Sequence, residues 1–316
     1  MNSNVHIPVM AREVLQWLAP EPGRRYLDGT LGLGGHARAI LQKTAGAARI
    51  LGIDKDEQAL HQAGAVLAES GYADAVHLVQ GSFAHFEDAL TEVGWPDLDG
   101  AVLDLGFSSW QLDDPKRGMS FLQDGPLDMR LDQSGTRMSA RDLVNSASYE
   151  QLRNIFKEYG QEPMAGRIAR AIVSRREQEA ITSTTDLAAL IRRAYPAKRR
   201  FQSRKHPATK SFQALRIAVN SELDDLEVFL RKIPEYVRSG GRIAVISFHS
   251  LEDRMVKQWF RYHARDCVCP PEHLYCRCEH QAQVKVLTKK PLTPLLDEIQ
   301  GNFRSRSAKL RVAEVL

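Results

Sequence analysis

A glycine-rich segment near the start of the chain places the strongest constraint on the fold. Residues 28–36, Asp-Gly-Thr-Leu-Gly-Leu-Gly-Gly-His, follow the apolar pair Tyr26-Leu27 and precede an amphipathic stretch from Ala37 to Leu41. That order indicates a strand, a tight turn and a helix. Glycines let the backbone approach a ligand closely because they carry no Cβ, and the turn leads to a helix N-terminus, which favours ligand binding. The segment therefore predicts a ligand-binding strand–turn–helix unit.

A second acid, Asp54, follows the next apolar run and lies 20 residues after Gly34 (54 − 34). Folds of this kind place the acid that binds a ribose diol at about that distance. Asp28 lies four residues before Gly32, the first glycine of Gly32-x-Gly34-Gly35, and a carboxylate there would repel a pyrophosphate. The charge suits a cationic nucleoside cofactor such as S-adenosylmethionine. The alternative is a plain strand–helix turn that binds nothing.

The composition is that of an ordinary globular protein. The chain has 316 residues, of which 43% are hydrophobic and 26% are charged, enough for one large domain or two ordinary ones. No apolar run approaches the roughly 20 residues that span a membrane, and the first twelve residues lack the pattern of a secretion signal. We therefore expect a cytoplasmic protein with no membrane partner.

Apolar runs alternate with helical patterns in both outer parts of the chain. Continuous apolar runs are typical of parallel strands that are buried on both faces, and they occur at residues 26–27, 50–53, 76–79, 101–105 and 242–247. Helical patterns lie at residues 57–70 and 221–233. Residues 310–315 predict one more strand, antiparallel and at the edge of the sheet. This alternation predicts an α/β, doubly wound sheet.

The alternation stops between about residues 113 and 207. Helical patterns replace it at residues 139–145, 149–159, 163–177 and 183–194. Pro163 suits the first turn of a helix, where no amide hydrogen bond is lost. We therefore predict an all-helical inserted domain at residues 113–208, between two parts of the α/β domain at residues 1–112 and 209–316.

Further polar residues follow the later strands. Asp104 comes after the fourth predicted strand, so Asp28, Asp54 and Asp104 are all expected at carboxyl ends of strands, where open α/β sheets bind ligands. Three acids in one cleft require donors or a cation, although any one of them could instead cap a helix. His249 follows the fifth strand and could reach the same cleft. A lone histidine is more often a hydrogen-bonded structural residue.

Two clusters leave alternatives open. Residues 191–210 contain eight Lys or Arg and no Asp or Glu, a block that either binds phosphates or forms a solvated loop. All four cysteines lie in two Cys-x-Cys pairs between Cys267 and Cys278. Four thiolates can bind zinc, although structural sites usually have two to four residues within each pair, and disulfides are disfavoured in a reducing compartment. Zinc and free thiols both remain open, so no residue is assigned to a metal.

Five long motifs occur in order along the chain, at residues 28–36, 103–113, 124–130, 206–216 and 247–254. With them the chain closely resembles the bacterial RsmH/MraW family over nearly its whole length. The resemblance implies a Rossmann-like class I S-adenosylmethionine-dependent methyltransferase with an inserted helical domain. It also implies a reaction, transfer of a methyl group to the exocyclic N4 of a cytidine in the decoding centre of 16S rRNA.

The resemblance carries residue roles with it. The implied cofactor contacts are Gly34, Gly35, His36, Asp54, Phe83, Asp104 and Gln111. Phe83 would flank the adenine, although core packing is an alternative role. Asp104 is the first candidate for positioning the cytosine amine. The motif lacks the Asn/Asp-Pro-Pro-Tyr pattern of many amino-methyltransferases, so the proton acceptor remains open.

The implied partner is the 16S rRNA of the small ribosomal subunit. Candidate RNA contacts are Arg199, Arg200, Arg204, Lys205, Lys210 and His249. Two other functions remain open: a methyltransferase of the same fold that acts on DNA or a small molecule, and a non-catalytic RNA-binding protein that retains a nucleoside pocket. Both a monomer and a homodimer are compatible with the sequence.

Overall fold

The structure is a computed structural model that describes residues 8–198, 206–270, 272–273 and 275–316, with only the backbone of residues 109 and 110. The chain divides into two units. The first is discontinuous and consists of Met1–Gly106 and Leu223–Leu316, whereas the second, Phe107–Glu222, is inserted within it. Each unit has a hydrophobic core of its own.

The first unit is built on a mixed sheet. Its strands are β1 (Arg25–Asp28), β2 (Arg49–Asp54), β3 (Val76–Gln80), β4 (Leu98–Asp104), β5 (Val237–Ser247), β6 (Val284–Val286) and β7 (Lys309–Val315). In the described part of the chain the strand order is β3-β2-β1-β4-β5-β7-β6. β1 to β5 pair in parallel, and β7 is antiparallel to both of its neighbours. The predicted Rossmann-like fold is confirmed.

Both faces of this sheet are buried, which explains the continuous apolar runs. Leu27 and Leu51 pair across β1 and β2 and belong to one core, whereas their neighbours Tyr26 and Ile50 belong to another. Successive residues of a strand point to opposite faces, so each face needs its own apolar set. Helices cover the sheet, namely α1 (Ala11–Leu18), α2 (Gly35–Lys43), α3 (Glu57–Glu69) and α4 (Phe86–Glu92).

The second unit is helical in the residues that are described. Its helices are α5 (Ser109–Asp113), α6 (Ala140–Ser146), α7 (Tyr149–Glu158), α8 (Ala165–Arg176), α9 (Thr184–Ala194) and α10 (Thr209–Asn220). The chain then continues through α11 (Glu222–Lys232), α12 (Ser250–His263) and α13 (Leu296–Gly301). No described helix has both the length and the apolar character needed to cross a bilayer.

The inserted unit is wider than the segment 113–208 proposed from the sequence. It begins at Phe107 and ends at Glu222. The apolar stripe of α10, with Phe212, Leu215 and Val219, lies in the core of the inserted unit. Its helical pattern is clear in the sequence, but the pattern does not indicate which core the stripe joins.

Two local predictions are wrong. β7 is antiparallel as expected but does not lie at the edge, because β6 pairs along its outer side. α8 begins at Ala165 and not around Pro163. The chain first turns at Gln161, which has a φ of 47°, and the Glu162 carboxylate accepts a hydrogen bond of 2.8 Å from the Met164 amide, which delays the helix.

Candidate active site

Three carboxylates stand where three neighbouring parallel strands end. Asp28, Asp54 and Asp104 are the last residues of β1, β2 and β4, and β1 lies between the other two strands. The structure therefore brings together the three acids that the strand pattern places at this edge. Each acid has different partners, and these partners determine what it is able to bind.

Asp54 holds the glycine turn against β2. One carboxylate oxygen accepts a hydrogen bond of 2.7 Å from the amide of Gly32, and the other accepts one of 2.9 Å from the amide of Asp56. Burial raises the pKa of Asp54, and these two amides oppose that rise. A carboxylate oxygen has two lone pairs, so Asp54 can still accept hydrogen bonds from the hydroxyl groups of a ribose.

Asp28 is enclosed, with only 1% of its surface exposed. Its oxygens accept hydrogen bonds from the amides of Ala37 at 3.2 Å and Thr30 at 3.4 Å. Burial raises the pKa of Asp28 to about 6, although the neighbouring His36 acts in the opposite direction. Asp28 therefore fixes the turn to the start of α2.

His36 and Asp104 form the polar centre of this edge. Nε2 of His36 lies 3.5 Å from Oδ2 of Asp104, and the backbone amide of Asp104 donates a hydrogen bond of 2.6 Å to the Thr30 hydroxyl. Burial lowers the pKa of His36, but the Asp104 carboxylate and two further acids raise it by more. A raised pKa favours the imidazolium form of His36, which can hold the Asp104 carboxylate in its orientation.

Three polar atoms of this pair are buried without a hydrogen bond in the described part of the chain, namely Nδ1 and Nε2 of His36 and Oδ1 of Asp104. Nε2 of His36 faces Oδ2 of Asp104, so Nδ1 of His36 and Oδ1 of Asp104 are the two that remain without a facing group. Buried polar groups in native proteins are almost always paired, so these two atoms indicate that a polar ligand completes the site. The carboxylate oxygen accepts hydrogen bonds from ammonium or hydroxyl groups, and the Nδ1–H of the imidazolium donates to a ligand oxygen, so the pair fits a cofactor that carries both kinds of group.

A fourth acid, Glu298 of α13, was not predicted. Its carboxylate accepts a hydrogen bond of 2.8 Å from the amide of Met10, and burial raises the pKa of Glu298. The charge of Glu298 helps to raise the pKa of His36. No motif marks this glutamate, because it reaches the site from a short helix far along the chain.

The glycines of the turn serve the backbone and its packing. Gly34 caps α2 with a φ of +76°, a conformation that costs other residues about 1–2 kcal/mol. A Cβ at Gly35 would lie 2.9 Å from Cβ of Pro8. Part of the glycine pattern therefore reflects how the turn packs within the protein.

Comparisons with known proteins agree with this geometry. The model of the MraW methylase family matches residues 3–316. The chain belongs to that family. S-adenosylmethionine-dependent methyltransferases make up the family, so the predicted enzyme class and cofactor are confirmed.

Two relatives of this MraW-family methylase are named ribosomal RNA small subunit methyltransferase H. The protein from Solidesulfovibrio magneticus is 54% identical, over 99% of this chain and 96% of its own length. The protein from Lawsonia intracellularis is 51% identical, over 98% and 99%. A solved rRNA methylase from Streptococcus thermophilus has a TM-score of 0.42 at 10% identity, over 97% of this chain and 93% of that one. Because this structural similarity is low, we assign the fold from the strand order of the sheet.

Phe83 and Gln111 of this MraW-family methylase have local partners. Phe83 is 9% exposed in the core of the first unit, and its ring meets that of Phe229 edge-on at 5.7 Å. Gln111 belongs to the second unit, where its side-chain oxygen accepts a hydrogen bond of 2.9 Å from the Ser108 amide. Gly34, Gly35, His36, Asp54 and Asp104 all lie in the first unit.

His249 caps α12. Its Nδ1 accepts a hydrogen bond of 3.4 Å from the amide of Glu252, and the Glu252 carboxylate accepts one of 3.2 Å from the amide of His249. This reciprocal arrangement is a capping box. These contacts agree with the structural role that the sequence also allows for His249, and its role as an RNA contact stays a prediction.

The basic block is described only in part. Lys210 is exposed, and its ammonium donates a hydrogen bond of 2.9 Å to the carbonyl oxygen of Gln161. Arg199, Arg200, Arg204 and Lys205 lie outside the described residues. Their role as RNA contacts stays a prediction.

The motif at residues 124–130 is held within the second unit. Arg130 makes two hydrogen bonds to the Asp128 carboxylate, at 2.8 and 2.9 Å. Asn220 binds the carbonyl oxygen of Met129 and the amide of Leu131, both at 2.8 Å. These contacts fit the structural turn that its Gly-Pro pair predicts.

Proposed function

We propose that this protein transfers a methyl group from S-adenosylmethionine to the exocyclic N4 of a cytidine in the decoding centre of 16S rRNA. The observation that carries the proposal is the end-to-end match with relatives named as small-subunit rRNA methyltransferases. Such a substrate implies the small ribosomal subunit as partner and the cytoplasm as the place of action.

The cofactor supplies an electrophilic methyl group on a sulfonium. Among the residues of this chain, Asp54 would bind the ribose hydroxyls with its remaining lone pairs, and the turn at Gly34 and Gly35 would lie against the cofactor. The acids around His36 give this edge of the sheet a negative field, which favours a cationic ligand over a pyrophosphate.

Asp104 is the residue best suited to the cytosine amine. Its Oδ2 faces His36, while its Oδ1 is buried and has no hydrogen-bond partner in the described residues. The lone pair of the amine is delocalised into the ring, so attack depends on positioning. A carboxylate that accepts an N–H hydrogen bond holds the nitrogen in place and favours loss of its proton during or after attack.

The RNA must present a single base to this edge. A cytosine within structured RNA has to leave its stack before an enzyme can reach N4. The Lys and Arg residues of the segment 191–210 would then bind the phosphates on either side of the target. Arg192, Arg193, Lys198 and Lys210 are the members of that segment in the described structure, and all four are exposed.

The experiment uses small subunits from cells that lack the enzyme. The protein and labelled S-adenosylmethionine are added, the RNA is digested to nucleosides, and the products are separated by chromatography against standards of the methylcytidine isomers, which share one mass. We expect label in N4-methylcytidine, and less of it with Asp104→Asn. Duplex DNA and unstructured RNA serve as comparison substrates.

Each other outcome contradicts the proposal in its own way. Label in duplex DNA and none in subunits would indicate a DNA methyltransferase of the same fold. Cofactor binding by calorimetry without turnover on any RNA would favour a non-catalytic RNA-binding protein. Label in another nucleoside of 16S rRNA would overturn the cytidine N4 assignment.

A further inference from the structure

The four cysteines, which are all the cysteines of the chain, form a cluster between α12 and β6. The sulfur atoms of Cys267, Cys269, Cys276 and Cys278 all lie within 4.8 Å of one another. We propose that these four residues bind one zinc ion as a tetrathiolate site. The proposal is independent of the methyl-transfer reaction and concerns a different part of the first unit.

The sulfur separations fit a metal and do not fit disulfides. The Sγ atoms of Cys276 and Cys278 are 3.6 Å apart, and those of Cys278 and Cys267 are 3.8 Å apart. A tetrahedral zinc site with Zn–S bonds of about 2.3 Å has sulfur–sulfur edges of about 3.8 Å. A disulfide needs about 2.05 Å.

Backbone amides are directed at the sulfurs across the two pairs. The amide of Val268, within the first pair, donates to Cys278 Sγ at 3.4 Å. The amide of Arg277, within the second pair, donates to Cys269 Sγ at 3.2 Å. Donors of this kind stabilise the negative charge of thiolates and orient metal ligands. The reciprocal contacts also explain how pairs with a single intervening residue can form one site.

Among the described residues of the segment that carries the cluster, His280 contacts Tyr262 and His263, and little else fixes the segment. Its described residues between α12 and β6 form neither helix nor strand, and Tyr275 is 78% exposed. A segment that buries so little apolar surface gains its order from cross-links or metals. We therefore assign the zinc a structural role, in which it cross-links the loop between α12 and β6.

The test uses the full chain, produced with added zinc and purified under reducing conditions without chelator. Metal content measured by mass spectrometry should be one zinc per chain. The four thiols should react slowly with a thiol reagent until a chelator is added, after which all four should react. Replacement of zinc by cobalt should produce the visible absorption of tetrahedral cobalt thiolates.

Two variants distinguish the cysteines that bind the zinc from a residue that only lies in the same segment. The double variant Cys276→Ser, Cys278→Ser should lose the zinc. His273→Ala removes an exposed potential ligand from the same segment and should keep it. Circular dichroism and cofactor binding report whether the double variant is folded. If it is not, chelator extraction of the unaltered protein provides the same comparison.

Three results would overturn the proposal. One is protein without metal whose four thiols all react at once. Another is zinc that the folded double variant retains. The third is iron in place of zinc, with the absorption of an iron–sulfur cluster.

Discussion

His36 is almost enclosed, yet it is surrounded by acids that favour its charged form. Asp104 raises the pKa of His36 most, followed by Asp28 and Glu298, and together they outweigh burial. We expect Asp104→Asn to lower the pKa of His36, and Glu298→Gln to lower it less. NMR titration of the histidine ring measures both. An unchanged pKa in Asp104→Asn would show that the charge of Asp104 does not act on His36.

The same shift predicts a direction for stability. Because the pKa of His36 is raised in the folded protein, its contribution to stability is fully present below the ordinary pKa of about 6.5 and is lost as pH rises through the folded value. The Asp104→Asn variant should lose less stability over that interval than the unaltered protein does.

Asp28 gives a second prediction that depends on pH. Its pKa is about 6 in the folded protein, against about 3.9 for an ordinary aspartate. The folded state therefore binds the proton more tightly, and stability falls as pH rises from about 4 to about 6. The contribution amounts to at most about 3 kcal/mol. Asp28→Asn should remove this fall.

Urea unfolding at several pH values measures the effect. The informative quantity is the change with pH of the difference in unfolding free energy between Asp28→Asn and the unaltered protein, because acids remote from Asp28 titrate equally in both. A difference that stays constant from pH 4 to pH 6 would contradict a raised pKa for the buried Asp28 carboxyl.

At the scale of elements, an ion-pair cluster joins α12 to β7. Asp253 of α12 binds Arg311 at 2.7 Å and Lys309 at 3.0 Å, and the side chain of Arg311 is only 7% exposed. Burial alone would raise the pKa of Asp253, but the two cations lower it. Asp253→Asn leaves a buried guanidinium without its counter-charge, so we expect a loss of about 3 kcal/mol.

Chemical denaturation of Asp253→Asn measures this loss. Glu150→Gln is the matched control, because Glu150 pairs with Arg153 at the surface and such pairs contribute at most about 1 kcal/mol. The lowered pKa of Asp253 means that its contribution is present above about pH 3.9 and is lost as the pH falls through the folded value. Equal effects in both variants would contradict the proposed link.

The strands that the sequence predicts well are those with strong local signals. β1, β2, β4 and β5 have continuous apolar runs, because both faces of a parallel sheet are buried. β6 has three residues, with Lys285 exposed between its neighbours, and so short a segment has no readable period. Its place outside β7 could not be predicted, because a strand pattern contains no information about pairing partners.

The residues of the candidate site also divide into those that the sequence predicts and those that it does not. Asp54 and Asp104 are predictable because strand ends determine their position. The enclosure of Asp28 depends on α2 folding over β1, and Glu298 reaches His36 only through tertiary packing. Phe83 has the same sequence context whether it packs in the core or against an adenine, so the sequence does not separate the two roles.

At the scale of the whole molecule, RNA binding should depend on the basic segment of the inserted unit. Each phosphate contact that is removed reduces the slope of log affinity against log salt by about 0.7–0.9. We expect the triple variant Arg199→Ala, Arg200→Ala, Arg204→Ala to bind small-subunit RNA more weakly, with a slope smaller by about 2. Filter binding over a range of salt concentrations measures the slope.

The control for that experiment is Arg153→Ala. Arg153 lies in the same unit and is occupied by a surface pair with Glu150 at 3.0 Å. It should leave the slope unchanged. An equal slope in the triple variant and the unaltered protein would exclude the basic segment from the RNA interface.

The insertion of one unit within the other also affects the order of events during synthesis. β4 ends at Asp104, and its partner β5 begins at Val237, so the whole helical unit leaves the ribosome before that pairing can form. Until then β4 is an open edge of an unfinished sheet, and open edges recruit other strands. The helical unit, which is continuous in sequence, can complete its own core first. Nascent chains that pause between β4 and β5 are therefore the form of this protein most in need of a chaperone.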